Sequence, residues 1–509
     1  MPSGTPDFDA IVIGSGPNGL VAACVLARAG LRVRVFEAHP LRAGGAVGTE
    51  ETTLPGFLHD VGAAFFPWGT LSPAFRELQL ERHGLIWHRA EFESCHPAPD
   101  GTYAAISADH ERSAQHFGTA RDGAAWERHV RDYAAMEPAL LSALLEPFPT
   151  LRRLGRLISP SGLRLATIFA SSGRGLAERW FESVAARRVL PGLALHVDVG
   201  PDDVFGAALG YMLAMTASSG GFVVPRGGAQ AITRALIGVL QEHGGDVRLG
   251  SPVERVLVRD HRAGGVVLRS GEEFTARLVM ADTDVAALLL RMVDRNEVPP
   301  RVTEFLARYP RGWGTFKMDW ALSGPVPWSC EVARRTAVVH LGDSLDDLSA
   351  FTRQVRRGEL PSNPYLVVGQ QSLLDPTRAP TGSHALWAYS RVPPQMPGGW
   401  REHASAFADR VEARIEALAP GFRQCIAARH IVTPEGLEAM DANLVGGDLG
   451  GGSNAWHRQL LFRPLFPYFR YRTPVRSLYL CSSYAHPGAG VHGMCGFNAA
   501  RIALQHLES

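Results

Sequence analysis

The chain has 509 residues, 46% hydrophobic and 20% charged, with a formal net charge of +1. That length predicts two intertwined domains around a sizeable core, and the near-zero charge gives no electrostatic case for nucleic acid or a strongly acidic partner. Six cysteines (Cys24, Cys95, Cys330, Cys425, Cys481, Cys495) form no CxxC pair and no metal-ligand spacing, so neither a metal site nor dithiol chemistry is expected. The first residues, Met1 to Asp7, show neither the charged nor the apolar region of a secretory signal, so none is expected, and no apolar run reaches the roughly 18 residues of a membrane span. The expected location is the cytoplasm, with membrane contact, if any, peripheral.

The chain opens as strand, turn, helix, strand. Residues 9–13 form a short apolar run suited to a strand buried on both faces. A glycine-rich turn leads into an alanine-rich helix over 18–29, which Gly30 ends, and residues 31–37 alternate as a second strand. From about 75 to 222 the texture is helical and arginine-rich. A PRGG turn at 225–228 then feeds a helix over 229–242, and a β-meander signature covers 246–280. After a second mixed region, which includes the alternating stretch 315–322, the tail returns to a strand at 477–481, a Pro/Gly/His loop and a helix from about Gly493. Dinucleotide features thus stand at the start, middle and end. The expected fold is α/β (α+β overall): a discontinuous Rossmann-like domain of 1–74, 223–300 and 441–509, with a substrate domain assembled from 75–222 and 301–440.

Gly14-Ser15-Gly16-Pro17-Asn18-Gly19 is a GxGxxG that follows a buried strand and opens a helix. An acidic residue, Glu37, ends the next strand about twenty residues on. In such a unit Gly14 makes the tight turn, Gly16 admits the pyrophosphate and Gly19 packs helix on strand. The helix N-terminus attracts the anion, and Pro17 sits where its missing N–H is harmless. Glu37 accepts from ribose hydroxyls and repels a 2′-phosphate. FAD and NAD use the same cradle. A second phosphate-approaching loop in the tail, His486-Pro487-Gly488-Ala489-Gly490-Val491-His492-Gly493, feeds a second helix and suits a cofactor whose flavin end must also be enclosed.

With the loop Gly44-Gly45-Ala46, the segment His59–Phe66 and the Arg472-Thr473-Pro474 tail, these motifs resemble the phytoene desaturase/amine oxidase superfamily of flavoproteins. The resemblance is nearest to the branch of pyridine nucleotide-disulphide oxidoreductase domain-containing protein 2-like proteins. It implies FAD, with Glu37 and Ala38 at the adenosine ribose and Gly44, Gly45 and Gly62 near the flavin. It also implies Val253 at the adenine, and Ser482, Gly490 and Val491 along the ribityl and pyrophosphate. Ser482 replaces a usual glycine. Ala46 stands where phytoene desaturases and amine oxidases carry arginine, which points to the less characterised branch.

Among the 51 Lys and Arg residues, Lys317 is the only lysine. The superfamily's amine oxidases place a lysine in a similar glycine-led strand, holding a water beside flavin N5; the plainer alternative is a solvated strand lysine. His486 and His492 flank the tail glycines and are acid–base candidates because histidine titrates near neutrality, although packing is the commoner fate. Phe65, Phe66 and Trp68 suit either a flavin-facing pocket or the core. Residues 151–179, with Arg152, Arg153, Arg156, Arg164, Arg174 and Arg179, read as a solvated helix face before a lipid-binding one. Without a second GxGxxG, a separate NAD(P)H domain is not expected. The leading expectation is hydride transfer from a small hydrophobic, polyene-like substrate to FAD, with oxygen or a quinone as acceptor. The alternatives are an amine oxidase, a redox-neutral isomerase on reduced FAD, and a flavin-free binding protein of the GDP-dissociation-inhibitor type. Nothing in the sequence fixes the oligomeric state.

Overall fold

The computed structural model describes residues 5–147 and 160–508. Its first sheet begins with β1 (Phe8–Ile13), whose apolar side chains are buried, followed by helix α1 (Pro17–Arg28) and strand β2 (Val33–Phe36). β2 pairs parallel with β1, as a β–α–β crossover requires. Strand Glu273–Ala281 runs parallel to β1 on the other side, and Asp246–Arg248 lies parallel to β2. Leu478–Leu480 pairs parallel with Val279–Ala281, so chain start, middle and tail meet in one sheet. The meander strands Val253–Arg259 and Arg262–Leu268 attach antiparallel to the beginning of Glu273–Ala281. Helix α1 packs between Gln230–Glu242 and the last helix, Met494–Glu508. A Cβ on Gly496 would stand 1.8 Å from the Asn18 carbonyl oxygen, so only glycine lets these two helices touch backbone to backbone.

The second seven-stranded sheet has the order Ile426–Val432, Gly314–Leu322, His384–Val392, Leu366–Gly369, Thr336–Leu341, Phe92–Pro97, Tyr103–Ile106. The hairpin Phe92–Ile106 lies within the stretch read from sequence as helical. Its first strand is buried on both faces and so shows no period-2 pattern to read. Alternation splits the longest strands into two faces. Phe316, Met318 and Trp320 point outward, packing with Phe407, Val411 and Ile415 of helix Ala404–Glu416. Thr315, Lys317 and Asp319 point inward, opposite Arg391, Tyr389 and Trp387 across the strand pair. This inner face is covered by helices Val189–Ala194 and Gly206–Ser219. The second of these is apolar and buried almost all round.

Arg152, Arg153 and Arg156 of the predicted basic stretch lie outside the described residues. Farther along it, Arg164 pairs with Asp132 and Arg174 with Asp202, while Arg179 is exposed, as on a solvated helix face.

Candidate functional site

Gly14 has φ +89°, a left-handed turn that returns the chain from β1 into α1. Gly16 is the N-cap of α1 with no side-chain cap, and Pro17 is its first residue. Among the described residues, the N–H groups of Gly16 and Asn18 find no partner. The buried Asn18 Oδ1 is also unpaired. Two free donors at the positive end of a twelve-residue helix fit an anion such as a pyrophosphate. The Gly19 N–H is already taken, donating to Asp282 Oδ2 at 2.9 Å. A Cβ on Gly16 would stand 2.4 Å from the same oxygen. The open face of the second glycine, expected from sequence to admit the pyrophosphate, is therefore bounded by the Asp282 carboxyl as well.

The carboxylate of Glu37 is nine-tenths buried. Its Oε2 accepts from the Ser15 N–H at 2.9 Å and the Ser15 hydroxyl at 2.5 Å, and its Oε1 accepts from the His39 N–H at 2.7 Å. Carboxylate oxygens take two bonds each, so Oε1 retains a lone pair for a ribose hydroxyl. Ala38 beside it is exposed. The Ser251 N–H donates to the Glu37 carbonyl at 2.8 Å, which brings the half-buried Val253 segment to the same end of the cradle.

A second layer lies over the glycine turn. The Gly44 N–H donates to the Ser15 carbonyl at 3.1 Å. A Cβ on Gly45 would lie 3.6 Å from the Gly16 Cα and 3.0 Å from Asp441 Oδ2. Gly62 abuts Ala46, where a Cβ would come 2.5 Å from the Ala46 carbonyl oxygen. In the tail, the Ser482 hydroxyl donates to the Thr283 carbonyl at 2.7 Å, a bond glycine could not make. Gly490 sits against Trp68 and His492, and Val491 packs on the core of the first sheet. The structure thus gathers Gly14–Gly19, Glu37, Gly44, Gly45, Asp282 and Asp441 at one helix end. Val253 and Ser482 adjoin that assembly, and Gly490 stands with Trp68.

The segment after Gly62 links this cradle to the inner face of the second sheet. Ala64 belongs to the inner-face core, Phe65 packs on Gly369 with its ring 6.2 Å from that of Trp387, and Trp68 touches both cores. Phe66 is fully core. Here Lys317, only 2% exposed, donates to Asp319 Oδ2 at 2.5 Å. It is not a solvated lysine. Burial alone would raise the Asp319 carboxyl, but the Lys317 ammonium, with His430 and His59, holds it below the usual range. His59 Nδ1 lies 3.8 Å from Asp319 Oδ1; burial, against the pull of Asp319, lowers its pKa to about 4. Neither His59, in the segment His59–Phe66, nor Asp319, in the alternating stretch 315–322, is marked by the sequence as a functional residue. Their positions, with Asp319 two residues from Lys317 on one strand face, were the available signal for Asp319.

The tail histidines do not titrate near neutrality as expected. Burial, with the Arg463 charge behind it, lowers His486 to about 4, and burial beside His486 lowers His492 to about 3. His492 Nδ1 accepts the Met494 N–H at 3.0 Å, and its ring meets Trp68 edge-on. Both are neutral at physiological pH. Sequence reading also missed a buried chain on the far side of the inner face. His196 Nε2 meets His340 Nε2 at 2.9 Å, and Ser94 Oγ bridges His340 Nδ1 at 3.0 Å and His96 Nε2 at 2.9 Å.

Comparison with known proteins places this geometry. Residues 18–315 match the family described as flavin containing amine oxidoreductase. Pyridine nucleotide-disulfide oxidoreductase domain-containing protein 2 of Mus musculus is 30% identical, covering 99% of this chain and 94% of that protein. The neurosporene-forming phytoene desaturase of Cereibacter sphaeroides is 27% identical over 97% and 95% of the two chains. The crystal structure of an oxidoreductase from Methanosarcina mazei superposes with TM-score 0.64 at 16% identity, over 98% of this chain and 100% of that one. A glycine cradle at α1, a tail loop feeding a helix that packs on α1, and matches that run nearly end to end lead to one conclusion: the chain belongs to the flavin-containing amine oxidoreductase family and is an FAD-dependent oxidoreductase of α/β, Rossmann-like fold.

Proposed function

We propose that the chain dehydrogenates a small hydrophobic, polyene-like molecule held between the cofactor and the inner face of the second sheet. The observation that carries this reading is the composition of that face near Gly62. Phe65, Trp387 and Tyr389 supply apolar and aromatic surface; of the two buried cations beside them, Lys317 is neutralised by Asp319, and Arg391 lies over the Tyr389 ring and donates to the Thr315 hydroxyl at 2.6 Å. Such a surface favours an apolar ligand and gives a charged amine no free carboxylate partner. The phytoene desaturase likeness over the whole chain supports the same substrate class.

When bound, FAD supplies hydride acceptance. In this reading Gly44, Gly45 and Gly62 would lie beside the flavin, and the tail loop with Gly490 and Val491 would bound its other side. Lys317 stands on the substrate side, fixed by Asp319, as a compact charge that orders a water. We assign residues 1–74, 223–300 and 441–509 to the cofactor domain, and 75–222 and 301–440 to the substrate domain. The reading takes oxygen or a quinone as electron acceptor. It also takes a cytoplasmic location with peripheral membrane contact, for which the exposed Trp456, Phe462 and Phe466 are the support. Among the described residues no helix is long and apolar enough to cross a membrane.

The test is anaerobic mixing of the FAD-loaded protein with phytoene in detergent and, separately, with aliphatic amines, while flavin absorbance is followed. Bleaching by the polyene alone is expected. Bleaching by an amine, with peroxide released on admitting air, would replace this reading with the amine oxidase one.

A further inference from the structure

The end of α1 that receives the cofactor is unusually acidic. Asp282 follows strand Glu273–Ala281, and its N–H donates to the Ile13 carbonyl at 2.9 Å. Its carboxyl turns back over the glycine turn. Oδ2 takes the Gly19 N–H and fills the space beside Gly16, where a Cβ would be only 2.4 Å away. The groups that bear on it come from every neighbouring element. Glu37 follows β2, Asp441 follows helix Pro434–Met440, and the thiols of Cys481 and Cys495 lie on the tail and the last helix. Arg42 bears on Asp441, but among the described residues no cation is found to offset Asp282. Burial, with Asp441 and Glu37 behind it, pushes Asp282 up to about 7, against the Gly19 hydrogen bond.

One helix N-terminus carries roughly half a positive charge. It favours one anion, whereas the cofactor's two phosphates each bring a negative charge to a place where an ionised Asp282 would already stand. We propose that Asp282 is a further cofactor-binding residue whose carboxyl is neutral in the FAD complex, so that binding FAD above neutral pH takes up one proton from water. The proton resides on the Asp282 carboxyl, the Gly19 bond is kept through the other lone pairs, and the O–H becomes a donor at the cradle. No electron moves. The inference rests on FAD as cofactor and is independent of the substrate.

The sign follows from linkage. Where Asp282 is already protonated in the free protein, FAD affinity is flat with pH; above about pH 7 the affinity falls by up to tenfold per pH unit, until the bound carboxyl itself ionises. FAD is titrated calorimetrically into deflavinated protein at pH 8 in two buffers of different ionisation enthalpy, and Kd is measured from pH 6 to 9. Uptake of close to one proton per FAD and a Kd that weakens above pH 7 are expected. Asp282→Asn removes both effects and binds FAD about tenfold tighter than wild type at pH 8, with the gap widening at higher pH. No proton uptake with a flat Kd would overturn the proposal, as would an Asp282→Asn protein that keeps the wild-type slope. If that variant does not fold, the proton count on the wild-type protein decides alone.

Discussion

The cofactor cradle and the inner face of the second sheet sit on either side of the segment from Gly62 to Trp68, and they are built by opposite means. At the cradle the working parts are mostly backbone: free N–H groups of Gly16 and Asn18 and the missing side chains at Gly16 and Gly45, with the carboxyls of Glu37 and Asp282 anchored to the same turn. At the inner face the working parts are side chains that neutralise one another: Lys317 and Asp319 from one strand, with His59 from the short strand His59–Asp60 beside them. Backbone sites tolerate no added atom, and side-chain sites tolerate no lost partner. That difference orders the effects of mutation.

The largest effect is expected at the cradle. Gly16→Val puts a branched side chain into the space held by Asp282 Oδ2 and abolishes FAD binding, seen as a purified protein without flavin absorbance. On the inner face, Lys317→Met leaves Asp319 buried without its cation. This costs about 3–5 kcal/mol in denaturant unfolding, and the double variant Lys317→Met/Asp319→Leu recovers most of it. If the single variant were as stable as wild type, the inner face would not depend on mutual pairing. Returning to the cradle, Glu37→Ala weakens FAD by about 1.5–3 kcal/mol while leaving FMN affinity unchanged, measured by fluorescence titration. Equal losses for FAD and FMN would move Glu37 away from the adenosine end.

The smallest effect separates the regions by pH. The folded pKa of His59, about 4, lies below its unfolded value of about 6.5, so the unfolded chain binds the proton first. The stability due to neutral His59 is complete above pH 6.5 and is lost as pH falls through 4. Thermal melts from pH 7 to 4 are expected to fall less steeply in His59→Gln than in wild type. Parallel curves would show that His59 is not a buried neutral partner of Asp319.

The same contrast explains what was legible in the sequence. The glycine turn, Glu37 and the tail loop are local patterns whose chemistry follows from neighbouring residues, and the order strand, turn, helix, strand was readable with them. Asp282 was not. It reaches Gly19 across 263 residues, and only the parallel pairing of Glu273–Ala281 with β1 brings it there. Lys317 stood out as the only lysine, but its burial and its partner depended on which strand face turned inward. His486 and His492 were placed beside the right glycines, yet a sequence shows no burial, and burial removes the near-neutral titration that made them acid–base candidates. The strands Phe92–Pro97 and Tyr103–Ile106 were hidden because the first is covered on both faces.

The central claim is that the redox chemistry of FAD takes place against the inner face, beside Lys317. A crystal structure of the holoenzyme tests it most directly. The account predicts the flavin ring between the segment Gly62–Phe65 and the side chains of Lys317 and Tyr389, with a water bridging Lys317 Nζ to flavin N5. A ring seated against any other surface, with Lys317 touching only Asp319, would contradict it.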